Sequence, residues 1–287
     1  MVNEVIQGSD STDASDASGT RARGVLVTGS SRGVGAAAAR AFAARGDRVV
    51  VHYRSAEAPA RELLESLPGD GHALARADLS RPEDARRLAE ESAEALGRID
   101  VLVNNAALFL DPVAVQDGGS RRGDHRVTDV DYDAWVRAWQ TTLATNLLGP
   151  ANLTWCVARH MIATPPAAGL PRGRIVNVGS RGAYRGEPDV PAYGASKAGL
   201  HSFGQSMAIA LAPEGISVVT LAPGFIATDM AATLLDGPGG AAIRAQSPFD
   251  RVATPEEVAR ALVTLSAPDA EWFSGAVIDL NGASYLR

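Results

Sequence analysis

Tyr193 and Lys197 stand four residues apart in AYGASKAGLHSF, and Ser180 precedes Tyr193 by thirteen. In a helix, positions i and i+4 share one face, with Cβ atoms about 5–6 Å apart. A free phenol titrates near ~10, too high for easy proton exchange at neutral pH. A neighbouring ammonium favours the phenolate and is expected to pull that value down. Tyr193 can then give a proton to a carbonyl oxygen, or take one from an alcohol. Ser180 follows the β-branched run RIVNVG (174–179) and can hydrogen-bond the same oxygen. A second tyrosine, Tyr184, has Pro188 at its i+4 position and Gly182 and Gly186 beside it. Those residues preclude a stable helix. Tyr193 is therefore the expected partner of Ser180 and Lys197, and Tyr184 belongs to a loop.

Such chemistry needs a hydride carrier, and the chain offers a place for one. VLVTGSSRGVGAAAAR carries Gly29, Gly33 and Gly35 in a G-x-x-x-G-x-G pattern after the first apolar run. Glycines there let backbone amides approach a pyrophosphate at a helix N-terminus. An NAD site usually has an acid about 20 residues further on, bonded to the ribose 2′-hydroxyl. Here the second run ends His52-Tyr53-Arg54-Ser55, and Arg32 sits inside the glycine turn. Two guanidiniums and a hydroxyl suit a 2′-phosphate, so NADP(H) is the expected cofactor. Glu57, just past this turn, is the one acid that could reach back.

These residues must be positioned by a frame. Runs at 24–28, 48–53, 72–78, 100–104, 174–179, 216–222 and 276–280 read as strands. Being rich in Val and Ile and bounded by Gly, Asp or Pro, they suit burial on both faces. Helical patterns lie between them at 34–45, 57–67, 82–96, 131–161, 192–212 and 255–266. Gly46 marks a helix end, and Ser80-Arg-Pro and Thr254-Pro-Glu-Glu mark capped starts. Strands separated by crossover helices predict one α/β domain over 23–287: a Rossmann-type, doubly wound, seven-stranded parallel sheet. Residues 109–130 read as a long loop insertion, and 224–250 as a lid over the substrate. Residues 1–22, rich in Ser, Asp, Thr and Gly, read as a disordered tail.

The 287 residues are 46% hydrophobic with a net charge of -6, which supports a large core and argues against a nucleic-acid surface. No run reaches the ~20 apolar residues of a membrane span, and the N-terminus has no apolar leader. The single cysteine, Cys156, cannot pair within the chain and fits a reducing cytoplasm. Its apolar context reads as a buried helix position. Trp135, Trp139 and Trp155 read as helix packing.

Taken together, TGSSRGVG (28–35), Asp78-Leu79, NNAA (104–107), Asn146, Ser180, YGASK (193–197) and PGFIAT (223–228) resemble the short-chain dehydrogenases/reductases of compact type. The resemblance spans about Gly24 to Gly282 and is closest to 3-oxoacyl carrier-protein reductases. It implies that Tyr193 is the acid/base, that Lys197 binds the nicotinamide ribose and tunes Tyr193, and that Ser180 orients the substrate. It implies that Asn146 holds a helix kink and a proton-relay water. Asp78 would contact the adenine and Asn104 would lie along the cofactor. Thr228 would meet the carboxamide with Ile226 nearby. Ser31, Val34, Leu79, Ala106, Pro223 and Gly224 fall in the same motifs and would line the cofactor. No metal is implied.

The chain also departs from that pattern. The 109–130 insertion and HYRS are reminiscent of pteridine reductases, which typically carry an Asp where Ser180 stands. Asp250 stands where a glycine is common. The leading expectation is an NADPH-dependent reductase of a small carbonyl compound. A pteridine or imine reductase and a non-catalytic NADP(H) sensor are the alternatives. Arg121, Arg122, Arg181 and Arg185 could meet an acidic substrate or be solvated surface residues. The family implies a homotetramer, or a homodimer, packed through 131–161, 192–212 and the C-terminal segment.

Overall fold

A computed structural model describes residues 22–109 and 125–287. The expected tail, most of the expected loop insertion, and Arg121 and Arg122 lie outside the described residues. Seven strands run β1 Gly24–Val27, β2 Arg48–Tyr53, β3 Ala73–Arg76, β4 Val101–Asn104, β5 Gly173–Val178, β6 Ile216–Pro223 and β7 Val277–Leu280. Each lies within one or two residues of its expected run. They form one parallel sheet in the order β3-β2-β1-β4-β5-β6-β7. The seven-stranded Rossmann-type sheet read from the sequence is therefore the fold.

Helices cover both faces, as continuous apolar strands require. On one face lie α1 Gly33–Ala43 and α2 Glu57–Ser66. On the other lie α3 Pro82–Leu96, α4 Tyr132–Leu143, α5 Gly149–Ala163 and α6 Pro191–Leu211. After β6 come the short helices α7 Asp229–Asp236 and α8 Gly240–Arg244. The last helix, α9 Pro255–Leu265, packs beside α1. It begins with a reciprocal cap: Thr254 Oγ1 accepts from Glu257 N, and Glu257 Oε2 accepts from Thr254 N at 2.8 Å. Ser80, by contrast, does not cap α3. Its hydroxyl donates to Asp78 Oδ1 at 2.7 Å, and Arg81 holds the cap position without a side-chain bond.

The helix expected over 131–161 is interrupted. Residues Ala144–Leu148 form a π turn between α4 and α5. One extra residue in that turn leaves the apolar periodicity nearly intact, so the pattern reads as a single helix. Asp250 adopts φ 50, a left-handed backbone. The resemblance points to glycine there for that reason.

The strand order reverses between β1 and β4, so a crevice opens at their C-terminal ends, where such sheets bind ligands. The glycine turn follows β1, and Ser180 follows β5.

Candidate active site

Each part of the site sits where local chemistry puts it. Gly29 has φ 64 and Gly33 φ 56, conformations that side chains rarely adopt. A Cβ on Gly29 would come 2.9 Å from Ala106 Cα, and one on Gly35 would come 2.3 Å from Gly29 O. The turn is thus as close to its surroundings as backbone alone allows. It opens onto α1, which has no acidic residue in its first turn and no side-chain cap from Arg32. The helix's first N–H groups and partial positive charge are left for an anion.

His52 braces this turn from β2. Gly29 N donates to its Nδ1 at 2.8 Å, and its Nε2 lies 3.1 Å from Ala77 O. Nδ1 must therefore be the bare nitrogen. Burial, the largest influence, lowers His52 to about 4, so the ring is neutral at pH 7.

A cleft runs from this turn to α6. It is lined by Gly29, Ser31, Arg32, Gly33, Val34, Gly35, Tyr53, Arg54, Ser55, Asp78, Leu79, Ala106, Pro223, Gly224, Ile226 and Thr228, and it ends at Ser180, Tyr193 and Lys197. Arg32 and Arg54 are exposed at its outer end. Glu57 pairs with Arg61 at 2.8 Å along α2 and also hydrogen-bonds the Tyr53 side chain at the end of β2. Asp78 accepts from Ser80, both N and Oγ. The donor set of free helix amides, two guanidiniums and a hydroxyl fits a dinucleotide bearing an extra phosphate. Among the described residues no cluster could hold a metal ion.

At the inner end, Lys197 Nζ donates to Val178 O at 2.8 Å and lies 5.8 Å from the centre of the Tyr193 ring. Ser180 Oγ accepts from Gly182 N at 3.0 Å and hydrogen-bonds the Tyr193 phenol. The trio expected from spacing is brought together. The shift of the phenol runs opposite to the expectation: burial pushes Tyr193 up to about 12 and Lys197 down to about 8. In the protein alone burial outweighs the opposing hydrogen bond from Ser180. Phe109 meets the Tyr193 ring edge-on at 4.9 Å.

A family model described as enoyl-(acyl carrier protein) reductase matches residues 29–282. A 3-oxoacyl-[acyl-carrier-protein] reductase, FabG, of Vibrio cholerae is 33% identical over 91% of this chain and 96% of its own length. A short chain dehydrogenase from Burkholderia cenocepacia, solved in complex with NADP, is 30% identical with TM-score 0.76, covering 91% of this chain and 97% of that one. A dehydrogenase/reductase from Sinorhizobium meliloti gives TM-score 0.78 at 27% identity over 92% and 95% of the two chains.

The chain belongs to the short-chain dehydrogenase/reductase family.

Two asparagines of the motifs lie off the cleft lining, Asn146 at the helix interruption expected of it and Asn104 inside the sheet. Asn104 does not line the cleft. It ends β4 beside Asn177 of β5, and its Nδ2 donates to Asn177 Oδ1 at 2.9 Å and to Thr154 Oγ1 of α5. Side chains alternate along a strand, so the next residue, Asn105, takes the cleft position and donates to Thr28 O at 2.8 Å. The sequence run buried on both faces gave no sign of which face held the cleft. Asn146 lies just behind the cleft wall in the π turn, wholly buried. Its Oδ1 accepts from Leu108 N at 2.7 Å and its Nδ2 donates to Leu108 O at 2.8 Å. It pins the chain just ahead of Phe109.

Arg181 is no surface residue: it is 4% exposed, its guanidinium lies 5.0 Å from the Phe225 ring centre, and it donates to Ser284 and Gln246. Arg185 is exposed. Trp135 and Trp139 pack together at 5.6 Å, but Trp155 is 67% exposed on α5 rather than packed. Cys156 is only part-buried, and burial raises its thiol. Phe109 and His52 escaped the sequence reading. A buried histidine at a strand end carries no spacing signal of its own.

Proposed function

We propose that this chain is an NADPH-dependent reductase that converts a ketone to an alcohol. The observation that carries the proposal is the meeting of Ser180, Tyr193 and Lys197 at one end of a cleft whose other end bears Arg32, Arg54 and Ser55 with no carboxylate at β2. Held along the cleft, NADPH would supply a hydride for the carbonyl carbon. Ser180 Oγ hydrogen-bonds the substrate oxygen, and Tyr193 gives that oxygen its proton. Burial keeps the unliganded phenol protonated at pH 7, and positive charge brought beside it lowers the cost of giving up that proton. Lys197, fixed on Val178 O, supplies the positive charge that steadies the phenolate left behind. Arg32 and Arg54 would grip the 2′-phosphate. Asn146 fixes Leu108, and with it the approach to Tyr193.

The curated relatives named as 3-oxoacyl carrier-protein reductases support a 3-oxoacyl thioester as the substrate class. Tetramerisation through α5 and α6 is supported by Trp155 and Ile209, which are 67% and 79% exposed. Sedimentation of the purified chain checks it, and a monomer would refute it.

The functional test is oxidation of NADPH, beside NADH, followed at 340 nm with 3-oxoacyl thioesters, β-ketoesters, simple ketones, quinones and dihydropterin. Turnover of a ketone with NADPH preferred is the expected result. Turnover of dihydropterin alone would replace the ketone with a pterin. NADPH binding with no turnover across the panel would favour a sensor.

A further inference from the structure

His201 continues the face of α6 that carries Tyr193 and Lys197, at i, i+4 and i+8. It is 5% exposed. Ser180 N donates to its Nε2 at 3.3 Å. The approach depends on the preceding residue being glycine, because a Cβ on Gly179 would stand 2.2 Å from that nitrogen. A backbone N–H can only donate, so Nε2 is the bare nitrogen and Nδ1 carries the proton. Nδ1 has no hydrogen-bond partner among the described residues. An apolar side chain would fill this space without an orphaned donor. What the imidazole adds is its acceptor on Ser180.

The ring is held from its other side. Tyr184 packs against it with centres 5.1 Å apart, and Arg287 lies over Tyr184 at 4.3 Å while donating to its hydroxyl at 2.8 Å. Burial first, then the charges of Lys197 and Arg287, lower His201 to about 4 against the opposing pull of Asp279. The acceptor is therefore present throughout the neutral range.

We propose that His201 is a positioning residue for the ketone reduction proposed above: its Nε2 anchors the backbone of Ser180 and so aims the Ser180 hydroxyl at Tyr193 and the substrate oxygen. Gly182 N already occupies one lone pair of Ser180 Oγ. With the backbone N–H also fixed, the hydroxyl is held against the Tyr193 phenol, where a substrate oxygen would meet both.

The test compares His201→Leu, His201→Asn and His201→Gln. A glutamine places an amide near the former Nε2, and an asparagine places one near Nδ1. In His201→Leu and His201→Asn, kcat should fall about 10- to 100-fold, the scale expected of a misplaced catalytic group. NADPH affinity should stay within about twofold of the original. His201→Gln should recover kcat to within about threefold. Amide exchange of Ser180, read by NMR, needs no substrate; it should accelerate about tenfold with leucine or asparagine and not with glutamine. An unchanged kcat in His201→Leu, or a glutamine variant as impaired as the leucine one, would overturn the proposal. Tyr193→Phe runs beside them. If it is inactive while His201→Leu is not impaired, only the role of His201 fails. If Tyr193→Phe keeps full activity, the reductase chemistry fails and the role of His201 with it.

Discussion

At one end of the cleft the glycine turn presents backbone amides, braced from behind by His52; at the other, α6 presents the side chains of Tyr193 and Lys197 against Ser180. The first region works by what is missing. Gly29 and Gly35 leave no room for a Cβ, and the first turn of α1 has no acidic residue to compete for its amides. The second works by what is buried. A lysine at 3% exposure and a phenol pushed up to about 12 sit in an apolar layer that costs stability to maintain. The two should fail differently: adding an atom at the turn should cost cofactor affinity, and removing one from α6 should cost turnover.

After Tyr193 itself, Lys197→Met gives the largest effect. Turnover should fall about 10³-fold, within the range for loss of acid–base machinery, while NADPH still binds. The same substitution should stabilise the unliganded protein at pH 7. Lys197 titrates near about 8 in the folded protein against its ordinary 10.5. At pH 7 the folded state must hold a charge it resists, at a cost of up to about 3.5 kcal/mol at ~1.4 kcal/mol per pH unit. Native stability should rise with pH between those two values, and the gain from Lys197→Met should vanish above the upper one. Urea melts at pH 7 and pH 10.5 check both signs. Equal stability of the two proteins at pH 7 would contradict them.

Gly35→Ala comes next. Its methyl would meet Gly29 O at 2.3 Å, so the turn must shift, and NADPH affinity should fall about 100-fold, the scale of an overpacking cost of ~1–3 kcal/mol. Saturated kcat should hardly change. A fall in kcat with affinity intact would erase the contrast between the two ends.

Arg54→Ala sharpens it further. NADPH affinity should drop about tenfold, as for loss of one charge-assisted contact of ~1.5 kcal/mol or more, with NADH affinity unchanged in titrations of both. An equal loss for the two cofactors would remove Arg54 from the 2′-phosphate.

Asp250→Gly is the smallest. Relief of φ 50 should stabilise the chain by about 1 kcal/mol with no change in either binding or turnover. A loss of stability on thermal melting would show that the aspartate side chain has a bond of its own.

The contrast also explains what could be read without coordinates. The central strands were legible because β1, β2, β4, β5 and β6 are short, Val- or Ile-bearing buried runs, and Tyr193 with Lys197 because i, i+4 spacing on a helix puts both on one face. The π turn at 144–148 was not, since a single inserted residue barely disturbs a helical pattern. The lid helices α7 and α8 were missed because they are short and lie among glycines. Asn104 came from the motif and not from a contact pattern, and a motif does not say that its side chain bonds Asn177 and Thr154 inside the sheet while Asn105 lines the cleft. The histidines behind the site, His52 and His201, act by accepting backbone N–H bonds. Those bonds join residues 23 and 21 apart in sequence and leave no motif.

The most direct measurement of the central claim is a single comparison on Tyr193→Phe: NADPH dissociation constant by fluorescence titration, and kcat for a 3-oxoacyl thioester in the same preparation. The prediction is an unchanged dissociation constant with kcat lowered by about 10³-fold or more. A variant that keeps its turnover would contradict Tyr193 as the proton donor, and with it the reductase chemistry assigned to this cleft.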